Sequence, residues 1–458
     1  MKDKKKKEPI SDLEPVLFAT TESIQKEIEN RNHQVVNNFI NFSHPADIAE
    51  IIESLDLEDA LYLFRNCDLE KQRLIFLNLS DEMRAEFLEN LDLAEVTQII
   101  EELESDEITE IFSKLDEEKA EEILSNIGPE DSVRIRTQLA YEENTAGRLM
   151  NLDFASVKIT DTVRRAIISV RKAAKETENI YVIFVVDEEN HFKGIVKLKD
   201  LLIASPQTPI SKIMQATKSI HYNMDQEEVA NFFKKYDMVS APVVDDNGVL
   251  LGRITIDDVL FVVEEEATED IYRMGGVSEE EAISSSIWNS VRHRLIWLTM
   301  NLFIANVTTS VVTLFEDTIQ RLVVLASLMP IVAGMGGNAG TQTITVMVRN
   351  IATGELKESN LFETIRKELF IGFLNGLSVG LITFLVTFAL KQDLLISIVM
   401  GLAMFANISV AGFMGSFVPV ALKTLKIDPA IASSIFVTAS TDMFGFFCFL
   451  GLANFMIP

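Results

Sequence analysis

Asp442 is the only charged residue between Pro429 and Pro458. That stretch is long enough to cross a bilayer, which takes roughly 20 apolar residues in a helix. A carboxylate near its middle is costly unless water, a partner or an ion receives it. No Lys, Arg or His lies within the neighbouring uncharged runs, so an intramembrane salt bridge has no evident partner. A hydrogen bond to another helix, a proton relay and a cation ligand remain. Thr438 precedes Asp442 by one helical turn and shares its face. Two such carboxylates facing one another across a two-fold axis, with water between them, suit a hard divalent cation, and Mg2+ in particular keeps several waters. The cost of an unpaired carboxylate favours ion binding over the other two roles.

A second concentration of polar groups lies upstream, where Pro330 is followed by Ala333-Gly334-Met335-Gly336-Gly337-Asn338-Ala339-Gly340-Thr341-Gln342-Thr343. Proline and clustered glycines weaken a helix, so this segment is expected to be broken. At membrane depth, irregular backbone is tolerated only against protein or a water-filled cavity. Its freed carbonyls and the side chains of Asn338, Thr341 and Gln342 then line a cation path. The plainer alternative is close helix packing through the GxxxG pair Gly336 and Gly340. The segment argues against a nucleotide P-loop, because no Gly-Lys-Ser/Thr follows and the site would lie in lipid.

These residues belong to a succession of uncharged runs: Leu295–Phe315, Leu322–Val348, Leu369–Leu390, Leu394–Leu422 and Pro429–Pro458 with its single Asp442. Five transmembrane helices are expected. Arg292, Arg294, Arg349, Lys357, Arg366, Lys367, Lys423 and Lys426 fall on one side of them, and Arg321 and Lys391 on the other. The positive-inside rule then places the N-terminal half in the cytoplasm and the C-terminus outside. Five helices are few to enclose a conduit, so a homodimer with a pore on its axis is the economical arrangement. Gly372, Gly376 and Gly380 give the third span a face for close packing, within or between protomers.

The first 290 residues hold 60 of the 69 acidic and 31 of the 41 basic residues, a net charge of −29, whereas the remainder carries +1. Such a soluble half repels nucleic acid and attracts cations. The basic start, Met1–Lys7, is not followed by an apolar run and reads as a solvated tail rather than a signal peptide; residues 1–40 form an N-terminal extension. Across 41–140, helix N-caps are expected at Asp56, Asp68, Ser80, Asp92, Ser105 and Asp116, which implies a superhelical stack of short helices. Across 141–263, Val185–Leu202 aligns without gaps on Val243–Leu260. Each copy is a strand, a turn, a second strand with Gly near its start, and a helix opening at an acid. This repeat resembles a tandem pair of CBS domains, an α+β module that commonly binds adenine nucleotides. Asp200 and Asp258 fall where such modules place a ribose-contacting acid, although helix capping accounts for both equally well. The segment 264–290, with EEEATEDIYRMGG, reads as an acidic connecting helix that breaks near Gly275-Gly276. Cys67 and Cys448 lie in different halves, and His33, His44, His191, His221 and His293 form no ligand-spaced set on one helix, so no enzyme chemistry is indicated.

An acidic helical repeat, a CBS pair, a connecting (plug) helix and five spans (291–458), in this order, resemble the MgtE family of bacterial magnesium channels and transporters. The most specific segments are YEENTAG (Tyr141–Gly147), EEEATEDIYRMGG (Glu264–Gly276), PIVAGMGGNAGTQ (Pro330–Gln342) and STDMFG (Ser440–Gly445). The resemblance implies a dimeric, multidomain membrane protein importing Mg2+ through the inner membrane, with Asp442, Thr438 and Asn338 at the pore ion site. It also implies feedback closure by cytosolic Mg2+. The matching acids are Glu86, Asp106 and Glu110 in the helical domain, and Asp225, Glu227, Asp237, Asp257 and Asp258 in the CBS pair. The connecting helix contributes Glu266 and Glu269. ATP is a candidate ligand of the CBS pair, although Val182 stands where an aromatic contact is expected. Phe261 replaces a further acid. The rival readings are a proton- or sodium-coupled divalent cation carrier and a membrane-anchored metal or nucleotide sensor without transport.

Overall fold

The computed structural model describes residues 21–457 except 116, 175, 176, 178, 278–286 and 357–359. The tail Met1–Lys7, the expected cap Asp116, the loop residue Lys357 and the middle of the segment joining the connecting helix to the first span lie outside the described residues. The chain divides into two compact units, residues 1–259 and 260–458.

In the first unit, α1 (Thr21–Glu29) and α2 (His33–Phe42) are followed by the short helices α3 to α10 between Pro45 and Leu139. Ile24, Ile28 and Val36 join the same apolar core as Leu63, Phe76, Phe87 and Ile100, so the helical layer already starts within the extension. The caps fall as expected at Asp56, Asp68 and Ser80, whose side chains accept from the backbone N–H three residues on. At Asp92 the Glu95 carboxylate accepts from the Asp92 N–H, 3.0 Å. The expected cap at Ser105 shifts by one residue: Glu104 is the cap of α8 (Ser105–Ser113), and Glu107 accepts from its N–H, 2.8 Å. The shift frees the Ser105 hydroxyl to accept from the Leu152 N–H, 2.8 Å.

The internal repeat folds twice. β1 (Ser156–Lys158) pairs in parallel with β2 (Val182–Val186), which pairs antiparallel with β3 (Phe192–Lys197). β4 (Ile220–His221), β5 (Ser240–Val244) and β6 (Leu250–Thr255) repeat that order. Val185 opposes Gly194 in one hairpin and Val243 opposes Gly252 in the other, each next to a register shift. The gapless alignment therefore corresponds to identical strand register. Helices α11 (Ala146–Leu149), α12 (Val163–Ala173), α13 (Leu198–Ile203) and α14 (Gln226–Tyr236) accompany the strands. After β6 the chain does not stop and restart: the last CBS helix and the connecting helix are one element, α15 (Ile256–Met274), which ends at Gly275-Gly276 as the sequence indicates.

The second unit is a helical bundle of α16 (Ile287–Thr313), the short α17 (Glu316–Arg321), α18 (Val324–Ala352), α19 (Leu361–Lys391), α20 (Leu394–Thr424) and α21 (Pro429–Met456). α16, α19, α20 and α21 contain stretches long and apolar enough to cross a membrane. α18, at 29 residues, has the length but dilutes its apolar residues with Gly, Asn and Thr. The polarity of the bundle is inverted relative to a water-soluble one. Leu298, Phe303, Phe370, Leu377 and Leu381 face outward, while Ser397, Asn407 and Ser416 are buried. An exterior of this kind matches hydrocarbon.

The expected break in the second span is absent, since α18 is one helix with Pro330 inside it. Its glycines are used for packing instead. A Cβ on Gly340 would stand 2.6 Å from Val437 Cγ1 of α21, and Gly336 is covered by the Asn407 amide of α20. Tertiary contact thus supplies what the weak helix propensity lacks. The Gly372–Gly376–Gly380 face is likewise intramolecular: Gly372 meets Gly412, and Gly376 lies under the Phe405 carbonyl, both in α20.

Candidate functional site

Packing the glycine edges of α18 leaves its polar edge outward. Asn338, Thr341, Gln342 and Thr345 are exposed along it. Thr438 of α21 is also exposed, and the nearest atom to a Cβ built on Gly337 is the Thr438 methyl, 4.0 Å away. Thr438 therefore sits against Gly337, the residue before Asn338, and Asp442 follows one turn along α21. Asp442 is partly buried, and among the described residues its carboxylate makes no hydrogen bond or ion pair. The three expected pore residues thus lie on two adjoining helices, α18 and α21, with the Gly337 edge of α18 against Thr438. Their oxygens are hard ligands. The bundle locks this face from behind. The Asn407 Nδ2–H donates to the Val332 carbonyl of α18, 2.9 Å, and the same amide stands 2.6 Å from a Cβ position on Gly445 of α21.

In the first unit, the structure brings Asp106 and Asp258 together. Asp106 lies in the first turn of α8, and Asp258 in the first turn of α15, where it accepts from the Thr255 N–H and hydroxyl at 2.9 and 2.6 Å. Asp258 is thus the third helical residue bonding back to the cap rather than the cap itself. Burial, then the charges of Asp258, Glu104 and Glu107, push Asp106 well above the usual carboxylate range. Burial raises Asp258 to about 6 despite its bonds to Thr255. Asn151 Nδ2–H donates to Asp106, 3.1 Å, and to Glu104, and Arg253 donates to Glu104, 3.2 Å. Asp257 keeps one carboxylate oxygen buried without a hydrogen bond. Two strongly disfavoured carboxylates in one enclosure accept either protons or a cation.

The other expected regulatory acids are more dispersed. Glu86 and Glu110 are exposed, and Glu110 lies 3.6 and 3.5 Å from Arg84 and Lys114. Asp225 caps the start of α14, bonding the Glu227 N–H, while Asp237 ends it in the left-handed conformation, φ 51°. Asp225 and Glu227 therefore stand at the opposite end of α14 from Asp237. Asp200 accepts from Gln215, 3.0 Å, so its carboxylate is already engaged, and Val182 packs with Phe184 and Phe192. Phe261 is 74% exposed.

At the far end of α15, Glu266 and Glu269 are partly buried. Arg273 bridges Glu269, one turn back, to Asp428, which caps α21 by accepting from the Ala430 N–H, 2.7 Å. Beside them Asp270 is pushed up to about 6 by burial first and then by Asp428, with Arg349 acting the other way. Met274 packs on Ile344 and Val348 of α18 and Val437 of α21. Asp428 is not among the residues the sequence marks for the site. Its position immediately before Pro429, at a helix start, was the available signal. His191 also gains acidic neighbours, Asp187 and Glu189, in the turn between β2 and β3. There Asp187 bonds the Glu189 and His191 N–H groups and pairs with Lys193 at 2.9 Å, which makes it a turn anchor.

Fold and site together define a polytopic membrane protein with an acidic, CBS-bearing soluble half and an outward polar edge on its helical bundle. Residues 329–452 match the family model described as a divalent cation transporter, 43–144 the MgtE intracellular N domain, and 146–207 and 210–265 the CBS domain. The chain is 35% identical to the magnesium transporter MgtE of Enterococcus faecalis, covering 69% of this chain and 70% of the relative, and 34% identical to that of Thermus thermophilus, covering 69% and 71%. Similar solved structures include the soluble part of a magnesium transporter, with 27% identity and a TM-score of 0.50 across 54% of this chain and 98% of that one. The cytosolic domain of the Mg2+ channel MgtE in complex with ATP is 30% identical, with a TM-score of 0.51 across 53% and 100%. The chain belongs to the MgtE family of divalent cation transporters.

Proposed function

We propose that the chain forms a homodimeric Mg2+ channel of the bacterial inner membrane, with the soluble half in the cytoplasm, the C-terminus outside, and closure by cytosolic Mg2+. The observation that carries this reading is the face formed by Asn338, Thr438 and Asp442. Hydrocarbon does not tolerate such a face, and an ion path with water explains it at once. A second copy opposing its own Asp442 to this one completes an oxygen-rich site for a hydrated divalent cation. α18 acts as the fifth spanning helix. Feedback has its groups at two places, the Asp106–Asp258 enclosure and the Glu269–Asp270–Asp428 cluster, where a cation relieves repulsion that protons otherwise relieve. ATP is a secondary ligand of the CBS pair by analogy with the ATP-bound relative, bound with Asp200 released from Gln215.

The decisive experiment is Mg2+ uptake into liposomes carrying the purified full chain. Asp442→Asn is expected to abolish flux while the protein keeps the elution volume and thermal transition of the wild type. Undiminished uptake by that variant refutes the pore assignment, and obligatory proton movement with Mg2+ favours a coupled carrier.

A further inference from the structure

A cavity of about 200 Å³ opens between α18, α19 and α20, away from α21 and its Asp442. Glu368 lies in its wall, with Gln342, Thr343 and Asn375 around it and Gly372 and Gly412 where α19 and α20 touch. Glu368 is only 8% exposed, and among the described residues its carboxylate makes no hydrogen bond or ion pair. Gln342 and Asn375 are exposed at the rim. Glu368 is seven residues into α19, about 10 Å from its Leu361 end. That end also carries Arg366 and Lys367.

Packing does not account for this arrangement. A carboxylate and two amides beside hydrocarbon are costly to desolvate and gain nothing from one another while unbonded. The volume is several times the roughly 30 Å³ of one water molecule, so it accommodates an ion together with part of its hydration shell. The wall offers carboxylate, amide and hydroxyl oxygens and no sulfur or imidazole, which selects a hard cation. One negative charge leaves a divalent ion partly uncompensated, and such a site holds its ion briefly, as a conduction pathway needs.

From this geometry we infer that the Glu368 cavity is a second intramembrane cation site, taking a partly hydrated divalent cation with Glu368 as its charged ligand and Gln342 and Asn375 as its rim. The inference rests on the transport reading above. It adds a loading site to one side of the Asp442 face.

Two measurements on the full chain in liposomes test it. In a Cys67→Ala, Cys448→Ala background, Gln342→Cys is expected to react with a cationic methanethiosulfonate, and millimolar Mg2+ is expected to slow the reaction where equal Na+ does not. Adding Glu368→Gln is expected to remove that protection. Separately, Glu368→Gln is expected to raise the Mg2+ concentration for half-maximal flux by roughly tenfold, the loss of one charge-assisted interaction. An unreactive Gln342→Cys that instead crosslinks to a second copy overturns the site, since the groove is then a protein interface. So does reactivity indifferent to Mg2+, or protection by Na+ alone. Should Glu368→Gln fail to fold, Asn375→Ala is expected to shift half-maximal flux in the same direction, and an unchanged value overturns the inference. A wild type that moves no Mg2+ refutes the channel reading, while the protection assay still decides this site.

Discussion

Single side chains here act through the charge they cannot easily keep. Asp106 and Asp258 are each driven towards the neutral form by burial and by neighbouring acids. Asp106→Asn removes one of those charges without changing shape. It is expected to raise the thermal midpoint of the soluble half in EDTA, by about 2–4 °C for each kcal/mol of repulsion relieved, and to shrink the further rise on adding Mg2+. Differential scanning calorimetry with and without Mg2+ measures both, and an unchanged Mg2+ response removes Asp106 from the sensor. The sequence marked these acids by family likeness, but nothing in their spacing paired Asp106 with Asp258, 152 positions apart. Asp442 was legible because one charge in an apolar run is visible without a fold. Glu368 was not, because it borders its run beside Arg366 and Lys367 and reads there as one more interfacial charge.

Among the helices, those that looked weakest are held by their neighbours. α18 was expected to break at its proline and glycines, because propensity speaks only for an isolated helix. In the bundle, Gly336 and Gly340 let Asn407 and Val437 approach, and the helix stays whole. Gly340→Leu therefore overfills the contact with Val437 and is expected to destabilise the protein by about 1–3 kcal/mol or more, with loss of Mg2+ flux. A thermal-shift assay of the purified chain checks the first effect, and a wild-type midpoint would show that the two helices can part freely. The tip of α15 carries a different prediction. Arg273→Ala leaves Glu269 and Asp428, beside Asp270, without their bridging guanidinium. Closure is then expected to need several-fold more Mg2+, read as flux against internal Mg2+, and an unshifted curve would assign Arg273 no part in gating. The repeat of β2–β3 in β5–β6 was readable to the residue, since register follows from alternation and a shared glycine. The continuity of α15 was not, because the repeat ends inside it.

For the molecule as a whole, the proposed gate makes the acidic half answer to two kinds of cation, Mg2+ and protons. In the compact form, where Asp106 and Asp258 come together, in contrast to an open one in which the two part, the Asp258 pKa is raised from 3.8 to about 6, and Asp106 is raised as well. Between about pH 4 and 6 the compact form thus binds more protons than an open one, so compaction strengthens as pH falls through 6 and weakens as pH rises. Without Mg2+, proteolytic nicking of the soluble half is expected to be slower at pH 5.5 than at pH 7.5. At pH 7.5, millimolar Mg2+ is expected to restore the protection. Nicking that ignores both variables contradicts a charge-driven gate. α15 decides how such a change is delivered. It leaves β6 and reaches Met274 without interruption, 19 residues or about 28 Å. A 10° tilt at its base sweeps its tip through about 5 Å, close to one helical pitch. Under the gating proposed above, the connecting helix serves as a lever arm, its length turning a small change of angle into a displacement of about one helical pitch.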